Sequence, residues 1–225
     1  MLCPAKPVWS FLMKNKILAV AFVVASILLA LLVVRRQASG PAMNLRPSAA
    51  VGEVLAEEAV RLLGGTGNIV VIGRASSKDC QTAGDEQLSS FGAALRRRAS
   101  PRIAAIEWLS RPPGPMMNTG DLTAEQLLQL IEKNPAANAI VIFTGLPPLS
   151  PDLAEKLAAR PLKLLAVCGC GATVRHWLET RALAVAVVPR FGEPPPGAPV
   201  PKTTKDWLRQ EFEMLTPESV AQLPY

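Results

Sequence analysis

The pattern of apolar and polar positions changes character twice along the chain. Residues 1–16 form a basic tail; Ile17–Val34 (ILAVAFVVASILLALLVV) is then apolar on every side and carries no charge. Eighteen residues at about 1.5 Å of rise cover about 27 Å, close to the hydrocarbon core of a bilayer, which predicts a single transmembrane helix in contact with lipid. Lys14 and Lys16 before the run, and Arg35 and Arg36 after it, suit the two interfaces, where long basic side chains snorkel. Trp9 and Phe11 stand where an interfacial aromatic belt belongs. The run exceeds the roughly 7–15 apolar residues of a cleavable signal. The expectation is a single-pass signal-anchor of the inner (plasma) membrane, with the lysine-rich N-terminus cytoplasmic and the remaining chain outside.

Residues 35–49 are small, polar and proline-bearing and read as a linker. A regular alternation follows. Apolar positions at helical spacing over residues 51–63 stop at Gly64 and Gly65, and NIVVIG (68–73) reads as a short buried strand. Helical patterns over 85–98, before Pro135, after Ser150-Pro151 and over 172–181 alternate with strands at 103–109, 139–143, 162–167 and 183–188. Thr123 with Gln126 makes a capping box, and Ser150 ahead of Pro151 makes an N-cap with proline in the first turn. Strands apolar on both faces and alternating with helices predict an α/β fold. The expected architecture is a doubly wound, mostly parallel five-stranded sheet in three α/β/α layers, with strand order 2-1-3-4-5. The α/β domain is expected over residues 50–192. A proline-rich linker (193–202) and a C-terminal helix and tail (203–225, helical over 203–214) follow it.

Composition changes this picture in one respect. The formal charge is +6. Lys6, Lys14, Lys16, Arg35 and Arg36, with no acid among residues 1–36, account for +5 of it, leaving the rest of the chain near neutral. The basicity therefore belongs to the flanks of the apolar run, and the electrostatic footprint of a nucleic-acid binder is missing.

The stretches NIVVIGR, DEQLSSFGAALRRR and ANAIVIFTG resemble a lobe of the type I periplasmic sugar-binding proteins and their regulator relatives. That family carries a strand, a loop and a helix of the pattern acid-x-x-x-x-x-F-x-x-A-L, then a later strand ending at the ligand cleft. The resemblance covers roughly residues 66–192 and implies a ligand site at the strand ends. Family members clasp their ligand between two lobes, and this chain has room for one. A partner or a second copy would have to supply the other half.

In a parallel α/β sheet the ligand site lies beyond the carboxyl ends of the strands. Arg74, Ser76, Ser77, Thr144, Gly145 and Arg190 lie at such ends and are candidates for binding an anion or a hydroxylated ligand. The CGCG turn places Cys168 and Cys170 together, and Cys80 follows the first strand, so these three form a candidate redox or metal group. The four-ligand spacing of a zinc site and the C-x-x-C motif are both missing, which favours small buried hydrophobes. His176, the only histidine, falls mid-helix beside Trp177 and reads as a partly exposed helical residue, not a base. No cofactor motif is present; Gly64-Gly65-Thr66-Gly67 precedes a strand where a phosphate loop would follow one.

Three functions remain open on these grounds. The first is a non-enzymatic, membrane-anchored interaction domain or accessory subunit of an envelope complex, with other envelope proteins as partners and self-association open to it. The second is a small-molecule sensor using the strand-end rim. The third is a thiol redox or metal-dependent enzyme using the CGCG turn.

Overall fold

The computed structural model of the chain describes residues 44–74, 82–98, 101–109, 122–169, 171–190 and 199–220, the side chains of 171–173 excepted. The apolar run 17–34, Ser76, Ser77, Cys80 and Cys170 lie outside the described residues. Among the described residues no helix is long and apolar enough to cross a membrane. The chain divides into two units, Met1–Asn44 and Leu45–Tyr225, and the architecture below is that of the second.

Helix α1 (Arg46–Leu62) leads into β1 (Asn68–Arg74), α2 (Ala83–Arg97) and β2 (Arg102–Leu109). The alternation continues through α3 (Ala124–Lys133), β3 (Ala139–Ile142), α4 (Pro151–Ala158), β4 (Lys163–Val167), α5 (Gly171–Glu179) and β5 (Val185–Pro189). It closes with α6 (Thr204–Glu211), β6 (Phe212–Leu215) and the single turn α7 (Pro217–Val220). The sheet order is β2-β1-β3-β4-β5-β6. Its first five strands are parallel, in the expected 2-1-3-4-5 arrangement, and β6 pairs antiparallel with β5.

Period-two alternation sends side chains to both faces; in β1, β3, β4 and β5 both are covered, whereas edge strand β2 leaves Ile106 and Trp108 exposed. Val70, Ile72, Ile140, Ile142, Leu164 and Ala166 point to one core, closed by Leu127, Ile131, Leu153, Leu157 and Trp177 from α3, α4 and α5. Ile69, Val71, Val141, Leu165 and Val187 point to the other, closed by Val51 and Leu55 of α1 and Phe91 and Leu95 of α2. Each fully buried aliphatic side chain contributes roughly 1.5–3 kcal/mol before conformational entropy is subtracted. The helix starts are set locally. Thr123 and Gln126 form the expected capping box, Ser150 Oγ accepts the Leu153 N–H at 3.2 Å, and Thr82 with Asp85 and Thr203 with Asp206 add two more boxes.

Two boundaries differ from the pattern-based expectation. Helix α1 begins at Arg46, inside the stretch read as linker, because Pro47 in the first turn needs no amide partner and presets the helical φ. The expected helix over 203–214 ends at Glu211, and residues 212–215 become a sixth strand. Pairing of Phe212 with Pro189 and of Leu215 with Ala186 overrides the helical pattern there. The C-terminal segment is thus part of the sheet, where β6 covers the edge that β5 would otherwise expose.

Edge strand β2 carries one bulge, at Ala104, where the register shifts between Ile69 and Val70. Past it Glu107 turns toward α3, where its carboxylate accepts from Lys133 Nζ at 2.8 Å and Asn134 Nδ2 at 3.2 Å. The Lys133 hydrogen bond holds that carboxyl below its usual range, against the opposing effect of burial.

Candidate functional site at the strand ends

The loop that leaves β3 is fixed at three points. Phe143 N–H donates to the Ile72 carbonyl at 2.9 Å. The Phe143 ring packs edge-on against Phe91, with centroids 5.8 Å apart and planes at 78°. Further along, Trp177 Nε1 donates to the Pro147 carbonyl at 3.1 Å, tying the loop to α5. Between these anchors Gly145 turns the chain at φ +88°, with open space where a Cβ would stand. Glycine is required there by the backbone conformation, not by crowding.

A cavity of about 510 Å³ opens between this loop, the end of β4 and the C-terminal strand β6. Phe143, Leu146, Val174 and Phe212 give it apolar walls, and Thr144, Gly145, Cys168 and Gly169 form its polar and small-residue side. None of the described residues that line it is charged. Thr144 Oγ1 is buried and has no hydrogen-bond partner among the described residues. A buried hydroxyl left in that state costs about 1–3 kcal/mol, so an arriving donor or acceptor group would gain the contact without displacing an internal one.

The strand-end residues singled out from sequence are distributed unevenly. Thr144, Gly145 and Cys168 come together on the cavity. Arg74 ends β1 opposite Leu109 and is not among the lining residues. Arg190 is exposed and engaged with the sheet edge: its amide donates to the Glu211 carbonyl at 2.8 Å and its Nε to the Phe212 carbonyl at 3.0 Å. It therefore holds β6, and with it Phe212, against the mouth of the cavity. Ser76, Ser77, Cys80 and Cys170 fall outside the described residues.

Cys168 is 5% exposed, packs with the first core and donates its amide to the Val187 carbonyl at 2.9 Å. Its surroundings are those of a small core side chain at a strand end. His176 is exposed on α5 and does not line the cavity, as its mid-helix position implied. Among the described residues no three His, Cys, Asp or Glu side chains stand close enough together to hold a metal ion.

Sequence reasoning had no means of finding the walls. Phe143 falls in the strand expected over 139–143, Val174 in the helix expected over 172–181 and Phe212 in the helix expected over 203–214, and no pattern marks Leu146. The one local signal for Phe212 is the apolar alternation Phe-Glu-Met-Leu just before Thr216-Pro217.

No protein-family model and no curated protein matches the chain. Solved structures do. The arabinose-binding protein AraP of Geobacillus stearothermophilus superposes with a TM-score of 0.55 at 14% identity, over 79% of this chain and 63% of its own. A periplasmic solute-binding protein of an ABC transporter from Actinobacillus succinogenes, with bound D-allose, gives 0.50 at 12% identity, over 78% and 61%. The XylFII–LytSN complex gives 0.51 at 13% identity, over 76% and 60%. The fold of the described domain is similar to a lobe of the periplasmic sugar-binding proteins. At these identities the likeness concerns fold alone, and it agrees with the resemblance carried by NIVVIGR, DEQLSSFGAALRRR and ANAIVIFTG. The chain spans less than two thirds of the length of each of these three structures.

Proposed function

We propose that this chain is a non-enzymatic, extracytoplasmic binding domain, tethered to the membrane by residues 17–34, whose strand-end cavity is closed by an envelope partner. The observation that carries the reading is the cavity itself: uncharged among its described residues, open at the sheet edge, and holding the unpartnered Thr144 hydroxyl. Such a lining suits an apolar group with one hydrogen-bonding atom, as a side chain or turn of a partner protein presents. The uncharged run 17–34, with basic residues on both flanks, supports the tether.

A small neutral ligand is the second reading. The sugar-binding neighbours favour it, and the Phe143 and Phe212 side chains that line the cavity offer apolar faces of the kind a sugar's C–H face stacks on. One experiment addresses both. A photo-crosslinking residue in place of Leu146, on the cavity wall, is expected to give one discrete adduct with another envelope protein in intact membranes. The full chain in neutral detergent would be melted in parallel against a panel of sugars. A ligand at a hundred times its Kd would add about 2.7 kcal/mol of stability. No adduct and no stabilisation together would sink the proposal.

A further inference from the structure

At the opposite ends of the strands a smaller pocket, of about 190 Å³, is set between the end of α4, the start of β4 and the turn that follows α5. Its floor is apolar (Leu157, Leu164 and Ala182), and its rim carries three cations: Arg160, Lys163 and Arg181. Several basic residues elsewhere on the domain are paired with acids at close range. Arg61 pairs with Glu58, Arg97 with Glu53, Arg98 with Glu57 and Lys133 with Glu107, all between 2.6 and 3.1 Å. At this pocket the only ion pair among the described residues is Arg160 with the mostly exposed Glu132, at 3.7 Å. Glu218 lies near enough to Arg181 to interact with it electrostatically. Its carboxyl is held below the usual range first by hydrogen bonds from its own backbone and Thr216, with Arg181 and Arg61 adding a smaller effect.

A second observation concerns Arg181 alone. It has φ 57°, and it is the only non-glycine residue with positive φ among the described residues; the other four are glycines. A left-handed residue ending a helix is usually glycine, because a Cβ is disfavoured there. An arginine kept in a strained conformation beside two further under-neutralised cations points from the outlier to a role for its side chain.

We infer that Arg160, Lys163 and Arg181 form a binding site for a phosphate-like oxyanion at the amino ends of β4 and β5. Guanidinium groups match the paired oxygens of a phosphate, and an ammonium supplies a point charge beside them. The apolar floor leaves room for the carbon attached to a phosphate ester. The oxyanion has two sources, a soluble phosphate or the phosphate of an anionic lipid. The site lies away from the Thr144 cavity and is independent of what fills it.

The test uses the full chain in neutral detergent, melted in inorganic phosphate against chloride of equal ionic strength. Phosphate is expected to raise Tm saturably, and Lys163→Gln with Arg181→Gly to weaken binding by about ten-fold per cation removed. Arg181→Gly also relieves the strained φ, so the fold itself is expected to survive; Lys163→Gln alone, at an exposed position, repeats the test if it does not. A second arm places the chain in phosphatidylcholine nanodiscs with and without phosphatidylglycerol, reading hydrogen exchange over residues 159–164 and 180–184. Protection that needs phosphatidylglycerol and is lost in the variant assigns the lipid source; a response to free phosphate lost in the variant assigns the soluble one. If neither probe gives a response that these substitutions weaken, the proposal is overturned.

Discussion

Trp177→Ala is expected to destabilise the domain by about 3–5 kcal/mol, a large share of the roughly 5–15 kcal/mol that holds a typical domain together. Trp177 is fully buried and is the largest such side chain among the described residues. It fills the layer between α5 and the sheet, in the core formed by Ile140, Ile142, Leu164 and Leu153. Truncation leaves a cavity that these side chains, held by their own strands and helices, fill only in part. It also orphans the Pro147 carbonyl that the indole N–H satisfies at 3.1 Å. That hydrogen bond fixes the loop carrying Thr144 and Gly145, so the same substitution is expected to loosen the cavity. Trp177→Phe separates the two effects, keeping most of the volume and losing the hydrogen bond, for about 1–3 kcal/mol. Urea unfolding of both variants, followed by circular dichroism, checks the ordering. Equal losses would show that packing has no part in it.

Gly52→Ala is expected to cost at the upper end of the roughly 1–3 kcal/mol that overpacking exacts, although alanine is the better helix former. Gly52 lies buried in the middle of α1 where that helix crosses α2. A Cβ there would collide with the Gln87 carbonyl oxygen and stand 2.9 Å from the Phe91 nitrogen. These are backbone atoms of a neighbouring helix, so no rotamer change relieves the clash and the two helices must separate. Phe91 moves with α2, and its edge-on contact with Phe143 would carry the displacement to the cavity wall. Gly84→Ala is the control of opposite sign. Its Cβ would meet only Thr82 Oγ1, at 3.8 Å, and the better helix former is expected to gain up to about 1 kcal/mol. Thermal unfolding of the pair is the measurement, and similar shifts in both variants would refute the crossing argument.

Much of the fold was legible because the relevant signals are local and redundant. IVVI (69–72) and AIVI (139–142) are apolar throughout, as strands covered on both faces must be, and Thr123, Gln126, Ser150 and Pro151 mark helix starts by chemistry that acts within one turn. The failures lie where distant partners decide. Residues 212–215 have helical spacing with 203–211 and became a strand because β5 offers them a hydrogen-bonding edge. The candidate site was half legible for a similar reason. Thr144, Gly145 and Cys168 follow their strands directly, so topology alone brings them to one edge. Phe212 and Val174 reach the cavity through an antiparallel pairing and a helix packing that no local pattern encodes. Arg190 shows the converse: its position at a strand end was legible, but its hydrogen bond from Nε to the Phe212 carbonyl depends on a strand the local pattern did not reveal.

Binding at the strand-end cavity requires the Thr144 hydroxyl to be in need of a partner, and Thr144→Val tests that most directly. Valine keeps the shape and removes the buried oxygen. Measured by urea unfolding without any ligand or partner, the variant is expected to be more stable than the parent chain by up to about 1–3 kcal/mol, while the Leu146 adduct or the sugar-dependent stabilisation weakens. A Thr144→Val chain that is less stable and binds as before would contradict the account, because the hydroxyl would then serve the fold and not the site.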